Sequence, residues 1–394
     1  MTVIETVYKQ SSTTQLLGAS STSRAQSPLR VLLALPGLHK VTRGAEVAME
    51  SIAAELARTH GVDVTVIGCG LEKAGSPYRF IHVGCIGRER FERWPSVPVF
   101  RNEYAYEEMT YVPGLLRRYI PSDYDVTIAC SYPFTNWALR AKRDGSEKPA
   151  HVFVTQNGDW PAQDNRSEYR YFGCDGLVCT NPEYYERNRD KWHCTLIPNG
   201  VDPDLYCPGS VDRKSLGLPA NAPVVLMVSA LIESKRVLEG IRSVAPIDEA
   251  YLVVAGDGPL RAEVEELGEQ LMPGRFERVT FPRERMPDVY RAADVFLHMS
   301  QIEPSANAYI EALASGVPIV THDRYVTQWT LENEASLVDT NNLNYVTDAV
   351  RDTISDRGPG SVDSRRDLVQ RRFAWSSIAG EYLRFLQDVC NRVS

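Results

Sequence analysis

The residues best suited to chemistry cluster in the last half of the chain. The segment Glu303-Pro-Ser-Ala-Asn-Ala-Tyr-Ile-Glu311 opens on a carboxylate, passes a small hydroxyl residue and closes on a second carboxylate. Ser305 is a natural N-cap, with Asn307 entering a helix behind it. The amides of Ala306 and Asn307 then have no partner within the helix, and such a terminus attracts an anion, typically phosphate. Glu311 falls about one turn further on, where a carboxylate accepts from paired hydroxyls such as a ribose diol. Glu303 is suited to the same task on a sugar ring. Spacing alone leaves a second reading open, with Glu303 a surface loop acid and Glu311 a solvated helix acid. Lys235-Arg236 supplies two cations for a diphosphate, or simply starts a solvated helix. In Ala255-Gly-Asp-Gly-Pro259 the glycines permit close backbone approach, or make an ordinary strand-to-helix turn. Neither G-x-G-x-x-G nor G-x-x-x-x-G-K-[ST] occurs, so dinucleotide and P-loop readings lose their main support.

These residues need elements to hold them. Arg30-Val-Leu-Leu-Ala-Leu35, bounded by Pro36-Gly37, reads as a buried parallel strand. Ala48, Ile52 and Leu56 recur at fours, as on the buried face of a helix. Val62, Val64 and Val66-Ile67 give the next strand. Further strands are predicted at Val126–Cys130, Val152–Thr155, Leu177–Thr180 and Thr195–Ile197. Pro198-Asn-Gly-Val-Asp-Pro203 is a turn-rich connection. A second series follows it: strands at Val224–Val228, Tyr251–Ala255, Val279–Phe281, Val295–Leu297 and Val317–Val320, with helices near Val237–Val244, Met286–Ala292 and Asn307–Ala314. Trp375–Val389 reads as a final helix. The Arg- and aromatic-rich stretch from Tyr78 to Tyr119 shows little periodicity and is expected to be an irregular surface or insertion. Its Arg88 and Trp94 are candidates for contact with an acceptor. The expected fold is α/β: two Rossmann-like parallel-sheet domains facing a cleft, where ligands sit outside the C-terminal strand ends.

The chain has 394 residues, 43% hydrophobic and 24% charged. That suits two globular domains and excludes wholesale disorder. A net charge of −8 without a basic block argues against nucleic acid as a partner. No apolar run approaches the length of a membrane span. The Ser/Thr-rich start, with only Leu16-Leu17 apolar, is expected to be a flexible tail rather than a signal peptide. The eight cysteines include no C-x-x-C pair, which suits buried thiols in a reducing compartment. The seven histidines show no metal-ligand spacing.

The motifs in this order resemble those of retaining glycosyltransferases of family 4 (glycosyl transferases group 1), which have the GT-B fold. Five segments carry the resemblance: Pro36 through Arg43-Gly44-Ala45-Glu46, Ile197-Pro-Asn-Gly-Val-Asp202, Val228–Lys235, Ala255-Gly-Asp-Gly-Pro259, and Glu303–Glu311 followed by Ala312-Leu-Ala-Ser-Gly-Val-Pro-Ile-Val320. The last is the most specific, joining an E-x7-E frame to an A-x-G-V-P-[IV]-V tail. It implies a tail at 1–28, an acceptor-side domain at 29–205, a nucleotide-sugar domain at 206–374, and a C-terminal helix at 375–394 returning to the first domain.

The resemblance also implies roles. Lys235 would neutralise the diphosphate leaving group, with Arg236 as a second cation. Glu303 would contact donor sugar hydroxyls and Glu311 the ribose. The amides of Ser305, Ala306 and Asn307 would serve phosphate and sugar. Arg283 would lie where the base is read, and Gly44 would let a loop approach the donor, with Arg43 beside it in place of a usual glycine. Gln156 and Asn157 stand where the family often has histidine; they can hydrogen-bond a sugar but not protonate it. Ala230 stands where the family usually has arginine. The implied reaction moves a sugar from a nucleotide diphosphosugar to a hydroxyl of a glycan, a lipid-linked glycan or a small molecule. The resemblance implies no cofactor and no metal. It also implies a cytoplasmic location, and leaves open a peripheral membrane contact and a homodimer. A nucleotide-sugar epimerase or a catalytically silent nucleotide-sugar-binding partner would share the architecture.

Overall fold

The computed structural model describes residues 27–59, 61–141, 148–159, 162, 167–303, 307–356 and 358–393. Nearly all of the expected tail at 1–28 lies outside them.

Short apolar runs form two parallel sheets, because a strand covered on both faces needs apolar residues at successive positions. The first sheet comprises β1 (Leu29–Ala34), β2 (Val62–Gly68), β3 (Arg79–His82), β4 (Val126–Ala129), β5 (Ala150–Val154), β6 (Gly176–Cys179) and β7 (Cys194–Leu196), in spatial order 3-2-1-4-5-6-7. Its helices are α1 (Gly44–Arg58), α2 (Glu103–Arg118), α3 (Phe134–Arg140) and α4 (Pro182–Asn188). The second sheet comprises β8 (Val224–Val228), β9 (Tyr251–Ala255), β10 (Phe276–Val279), β11 (Val295–His298), β12 (Ile319–His322) and β13 (Ala335–Val338), in order 10-9-8-11-12-13. It carries α5 (Val237–Val244), α6 (Arg261–Leu271), α7 (Met286–Arg291), α8 (Asn307–Ala314), α9 (Tyr325–Leu331), α10 (Leu343–Asp356) and α11 (Val362–Arg372). The strand order reverses between β1 and β4 and again between β8 and β11. Each reversal opens a crevice at the C-terminal strand ends.

The last helix, α12 (Trp375–Val393), packs with the first domain. Trp375, Ile378, Tyr382, Phe385, Leu386 and Val389 form one apolar stripe and join the core made by Val31, Leu33, Val126, Val152, Ile52 and Leu56. The chain therefore crosses between the domains twice, and the crossings are tied together. The Val201 amide donates to the Phe373 carbonyl at 2.8 Å and the Trp375 amide to the Val201 carbonyl at 3.2 Å. Gly200 allows this: a Cβ there would lie 2.7 Å from the Trp375 ring and 2.8 Å from the Phe373 carbonyl. An ion pair between Arg324 before α9 and Glu183 on α4, in which one guanidinium nitrogen reaches both carboxylate oxygens at 2.7 and 2.5 Å, makes a further bridge between the domains.

Three sequence expectations need correction. The stretch 78–119 is not irregular, for it contains β3 and the sixteen-residue α2. The buried face of α2 carries Glu107 and Glu108 beside Tyr106, Tyr111 and Leu115, and Pro113 lies inside the helix, so the apolar period is broken. The strand expected at Val279–Phe281 is β10, ending at Val279; it is an edge strand bearing Glu277 and Arg278, which hides its start. The strand expected from Val317 begins at Ile319. Pro318, lacking an N–H, gives only its carbonyl, to the Phe296 amide at 2.9 Å.

Candidate functional site

The loop after β11 places Glu303 beside Lys235, which lies on the turn after β8. Their side chains form an ion pair in which Lys235 is 21% and Glu303 12% exposed. His298, the last residue of β11, brings Nε2 to 3.7 Å from the same Glu303 oxygen. Burial, reinforced by Lys235, pushes the His298 pKa down to about 3, so the ring is neutral and Lys235 is the cation facing Glu303. The ring is fixed by the Tyr309 hydroxyl, 3.0 Å from Nδ1, and that hydroxyl lies 2.7 Å from Thr321. These three residues escaped the sequence analysis. Their only sequence signal is polar side chains at the end of an apolar strand and on the adjoining helix and strand.

Pro304, Ser305 and Ala306 lie outside the described residues, so the structure does not place the roles expected of Ser305 and Ala306. Beyond them Asn307 starts α8, and its side-chain oxygen accepts from Asn199 at 2.9 Å. Asn199 also exchanges two hydrogen bonds with Gln156, at 2.5 and 3.0 Å. An amide ladder Gln156–Asn199–Asn307 thus joins the end of β5, the inter-domain connection and the start of α8. A methyl group built on Gly44 would stand 3.6 Å from the Asn307 side-chain nitrogen, so the start of α1 faces the start of α8 across the domain boundary. Asn199 was not singled out as a site residue, although it sits inside the Ile197–Asp202 motif.

Glu311 is not the solvated helix acid that spacing left open. Tyr290 donates to its Oε2 at 2.9 Å, and the Tyr206 hydroxyl also reaches it. Burial pushes its pKa above the usual carboxylate range, while Arg283 and both tyrosines pull the other way. Glu311, Asn307, Arg283 and Tyr206 line one side of an inter-domain cleft of about 630 Å³, with Glu50, Ser51 and Ala54 of α1 opposite.

Lys235 and Arg236 are neighbours in sequence, but their side chains go to different partners. Arg236 has φ 53°, and the turn carries its guanidinium to the side chain and carbonyl of Thr340, at 3.2 and 3.3 Å. Arg236 is thus engaged rather than free beside Glu303. Arg43 is held by Glu89 at 2.9 Å and Glu46 at 3.8 Å. The glycine turn after β9 serves the site indirectly. A Cβ on Gly256 would meet the Ser229 carbonyl at 1.9 Å, so glycine here allows the β9 turn to press on the loop leading to Lys235.

Asn157 belongs to a separate pocket at the β1/β4 crevice, with Pro36, Arg88, Tyr104, Glu107, Glu108 and Ser131 among its walls. Arg88, largely buried, lines that pocket, where it pairs with Glu107 at 2.8 Å and lies over the Tyr104 ring. Trp94 is exposed and packs edge-on against Phe91 and Tyr106. Burial raises the Glu108 pKa to about 7. A raised carboxyl pKa favours the fold at low pH and loses that contribution as pH climbs from about 4.5 through 7. Glu108→Gln has no charge to bury, so its stability relative to the native protein should improve by about 2.5 kcal/mol between pH 5 and pH 8. Denaturant unfolding at the two pH values measures this, and a pH-independent difference would contradict it. Among the described residues no group of three or more His, Cys, Asp or Glu is arranged to hold a metal ion, and no helix is long and apolar enough to cross a membrane.

Two parallel-sheet domains facing a cleft, joined by paired crossings and a returning C-terminal helix, define the GT-B fold. The family model for Glycosyl transferases group 1 matches residues 210–374, and that for Glycosyltransferase Family 4 matches residues 42–205. The chain belongs to this family of glycosyltransferases. It is 27% identical over 258 residues to the lipopolysaccharide core biosynthesis glycosyltransferase LpsE of Rhizobium meliloti, covering 64% of this chain and 74% of that one. Sucrose-phosphate synthase from Thermosynechococcus elongatus superposes with a TM-score of 0.74 at 20% identity, covering 92% of this chain and 100% of that chain. Anabaena HepE in complex with UDP-glucose superposes with a TM-score of 0.68 at 17% identity, covering 91% of this chain and 100% of that chain.

Proposed function

We propose that this glycosyltransferase takes a sugar from a nucleoside diphosphosugar held in the inter-domain cleft and passes it, with retained anomeric configuration, to a hydroxyl of a glycan acceptor. One observation carries the reading: the Lys235–Glu303 pair stands just before the start of α8, with the enclosed carboxylate of Glu311 one turn beyond. Without donor, the two charges neutralise each other. A diphosphate, more highly charged than a carboxylate, draws Lys235 toward itself and leaves Glu303 to accept from sugar hydroxyls. Glu311, oriented by Tyr290, accepts from the ribose. The bond from the anomeric carbon to the phosphate oxygen breaks, and a bond to the acceptor oxygen forms on the same face. The acceptor proton goes to the departing phosphate. Lys235 and the α8 terminus stabilise the developing charge, so no second carboxylate is needed as nucleophile. The UDP-glucose complex of HepE and the lipopolysaccharide assignment of LpsE support a nucleotide-sugar donor and a glycan acceptor. The protein acts without a metal.

A thermal-shift panel with UDP, GDP, ADP and dTDP, alone and as sugars, tests the donor. A bound ligand stabilises by its occupancy, so a ligand at 100 times its Kd adds about 2.7 kcal/mol. One base should stand out and its sugar conjugate should shift Tm further. No shift with any of them contradicts the reading, and so does donor epimerisation without acceptor.

A further inference from the structure

A buried polar triad behind the Lys235–Glu303 pair fixes the direction of three protons. His298 ends β11, and Thr321 is its partner on the neighbouring strand β12. Tyr309 reaches both side chains from α8, and all three residues are buried. The Thr321 hydroxyl lies 3.0 Å from the His298 carbonyl and 2.7 Å from the Tyr309 hydroxyl, which lies 3.0 Å from His298 Nδ1. A carbonyl only accepts, so Thr321 gives it its one proton. Tyr309 must then donate to Thr321, and its oxygen is left to accept from Nδ1. Only this arrangement makes all three contacts hydrogen bonds. In a neutral imidazole a proton on Nδ1 leaves Nε2 bare, and burial with Lys235 nearby keeps this ring neutral. Among the described residues Nε2 makes no hydrogen bond, and it stands 3.7 Å from a Glu303 oxygen.

Two acceptors therefore face each other, a nitrogen lone pair and a carboxylate. In the resting site the Lys235 ammonium covers the carboxylate. Once Lys235 turns to a diphosphate, the ring offers Glu303 no proton, and the sugar hydroxyls do. A proton on Nε2 would instead satisfy Glu303 from within the protein and compete with the sugar for it. We propose that His298 is a positioning residue of the donor site: Thr321 and Tyr309 lock its proton on Nδ1, so that Nε2 withholds a hydrogen bond from Glu303 and leaves that carboxylate to the hydroxyls of the transferred sugar. This inference rests on the transfer reading and deepens it, by naming what keeps Glu303 available.

The test reverses the protons without altering Lys235, Glu303 or His298. Thr321→Val is close in shape and removes the acceptor of the Tyr309 proton, which then turns to Nδ1 and drives the imidazole proton to Nε2. Tyr309→Phe, a second variant, removes the partner of Nδ1 and should move the proton the same way. Thr321→Ser keeps the hydroxyl and should restore the native state. Proton–nitrogen correlation NMR on the full chain with labelled histidine reads the tautomer, the His298 signals being those lost in His298→Gln. Calorimetry on the same proteins compares UDP, GDP, ADP or dTDP, whichever leads the thermal-shift panel, with its best sugar conjugate from that panel. The native protein and Thr321→Ser should carry the proton on Nδ1, Thr321→Val and Tyr309→Phe on Nε2. The two reversed variants should bind the sugar conjugate about tenfold more weakly, the worth of one hydrogen bond to a charged group, with affinity for the bare diphosphate nearly unchanged. A merely structural role would move both affinities together. A native proton on Nε2 overturns the inference, as does a proton that stays on Nδ1 in both variants or moves without separating the two affinities. If the native protein binds neither nucleotide, the donor reading fails and this role falls with it; if it binds both and the tautomer does not matter, only this role fails.

Discussion

Lys235→Ala should lower kcat by two to three orders of magnitude while changing nucleotide affinity much less. In the ground state Lys235 already has an anionic partner, Glu303, so much of its charge is balanced before and after donor binding. During bond cleavage the leaving diphosphate gains charge, and the ammonium is placed to meet it. One such preorganised group contributes roughly 3–4 kcal/mol to the barrier. The loss is compounded because Glu303 is then left beside the neutral His298, its negative charge uncompensated next to an anionic substrate. Glu303→Gln separates the two effects: combined with Lys235→Ala it should restore part of the lost donor affinity but little of kcat. Steady-state kinetics on the four proteins provide the check. A loss below threefold in Lys235→Ala would remove Lys235 from the chemistry.

Glu311→Ala should weaken nucleoside diphosphate binding by about tenfold to a hundredfold, with or without acceptor. The carboxylate is enclosed, accepts from Tyr290 and is approached by Arg283, so it is oriented before the ligand arrives. Hydrogen bonds to a charged group contribute about 1.5–3 kcal/mol, which is the predicted range. The variant also deprives the buried Tyr290 hydroxyl of its acceptor, so some stability will be lost. Calorimetry with the nucleotide and its 2′,3′-dideoxy analogue isolates the ribose contact. The native protein should discriminate between them strongly and the variant weakly. Equal discrimination by both would assign Glu311 a purely structural task.

Much of the architecture was legible because parallel strands buried on both faces are continuous apolar runs, as in Val224–Val228 and Tyr251–Ala255. The start of α8 at Asn307 was legible from the sequence. Helix α2 was not, since its inward face lines a polar pocket with Glu107 and Glu108. Local patterning fails where a surface is shaped for a ligand rather than for packing. Adjacency also misled. Lys235-Arg236 looks like one cationic patch, yet a left-handed residue between the turn and α5 divides it. The partners that orient the site, Tyr290 to Glu311, Asn199 to Asn307 and His298 to Glu303, are brought together by tertiary packing. Only the last of these lies close in sequence.

The central claim is that the C-terminal domain holds a nucleoside diphosphosugar by its diphosphate at Lys235 and the start of α8. A crystal structure of the protein soaked with the donor chosen by the thermal-shift panel tests this directly. The account predicts both phosphorus atoms beside the Lys235 ammonium and the Asn307 amide, the ribose hydroxyls on Glu311, and the sugar ring against Glu303. Phosphates bound elsewhere, or a cleft that stays empty while the donor is turned over in solution, would contradict it.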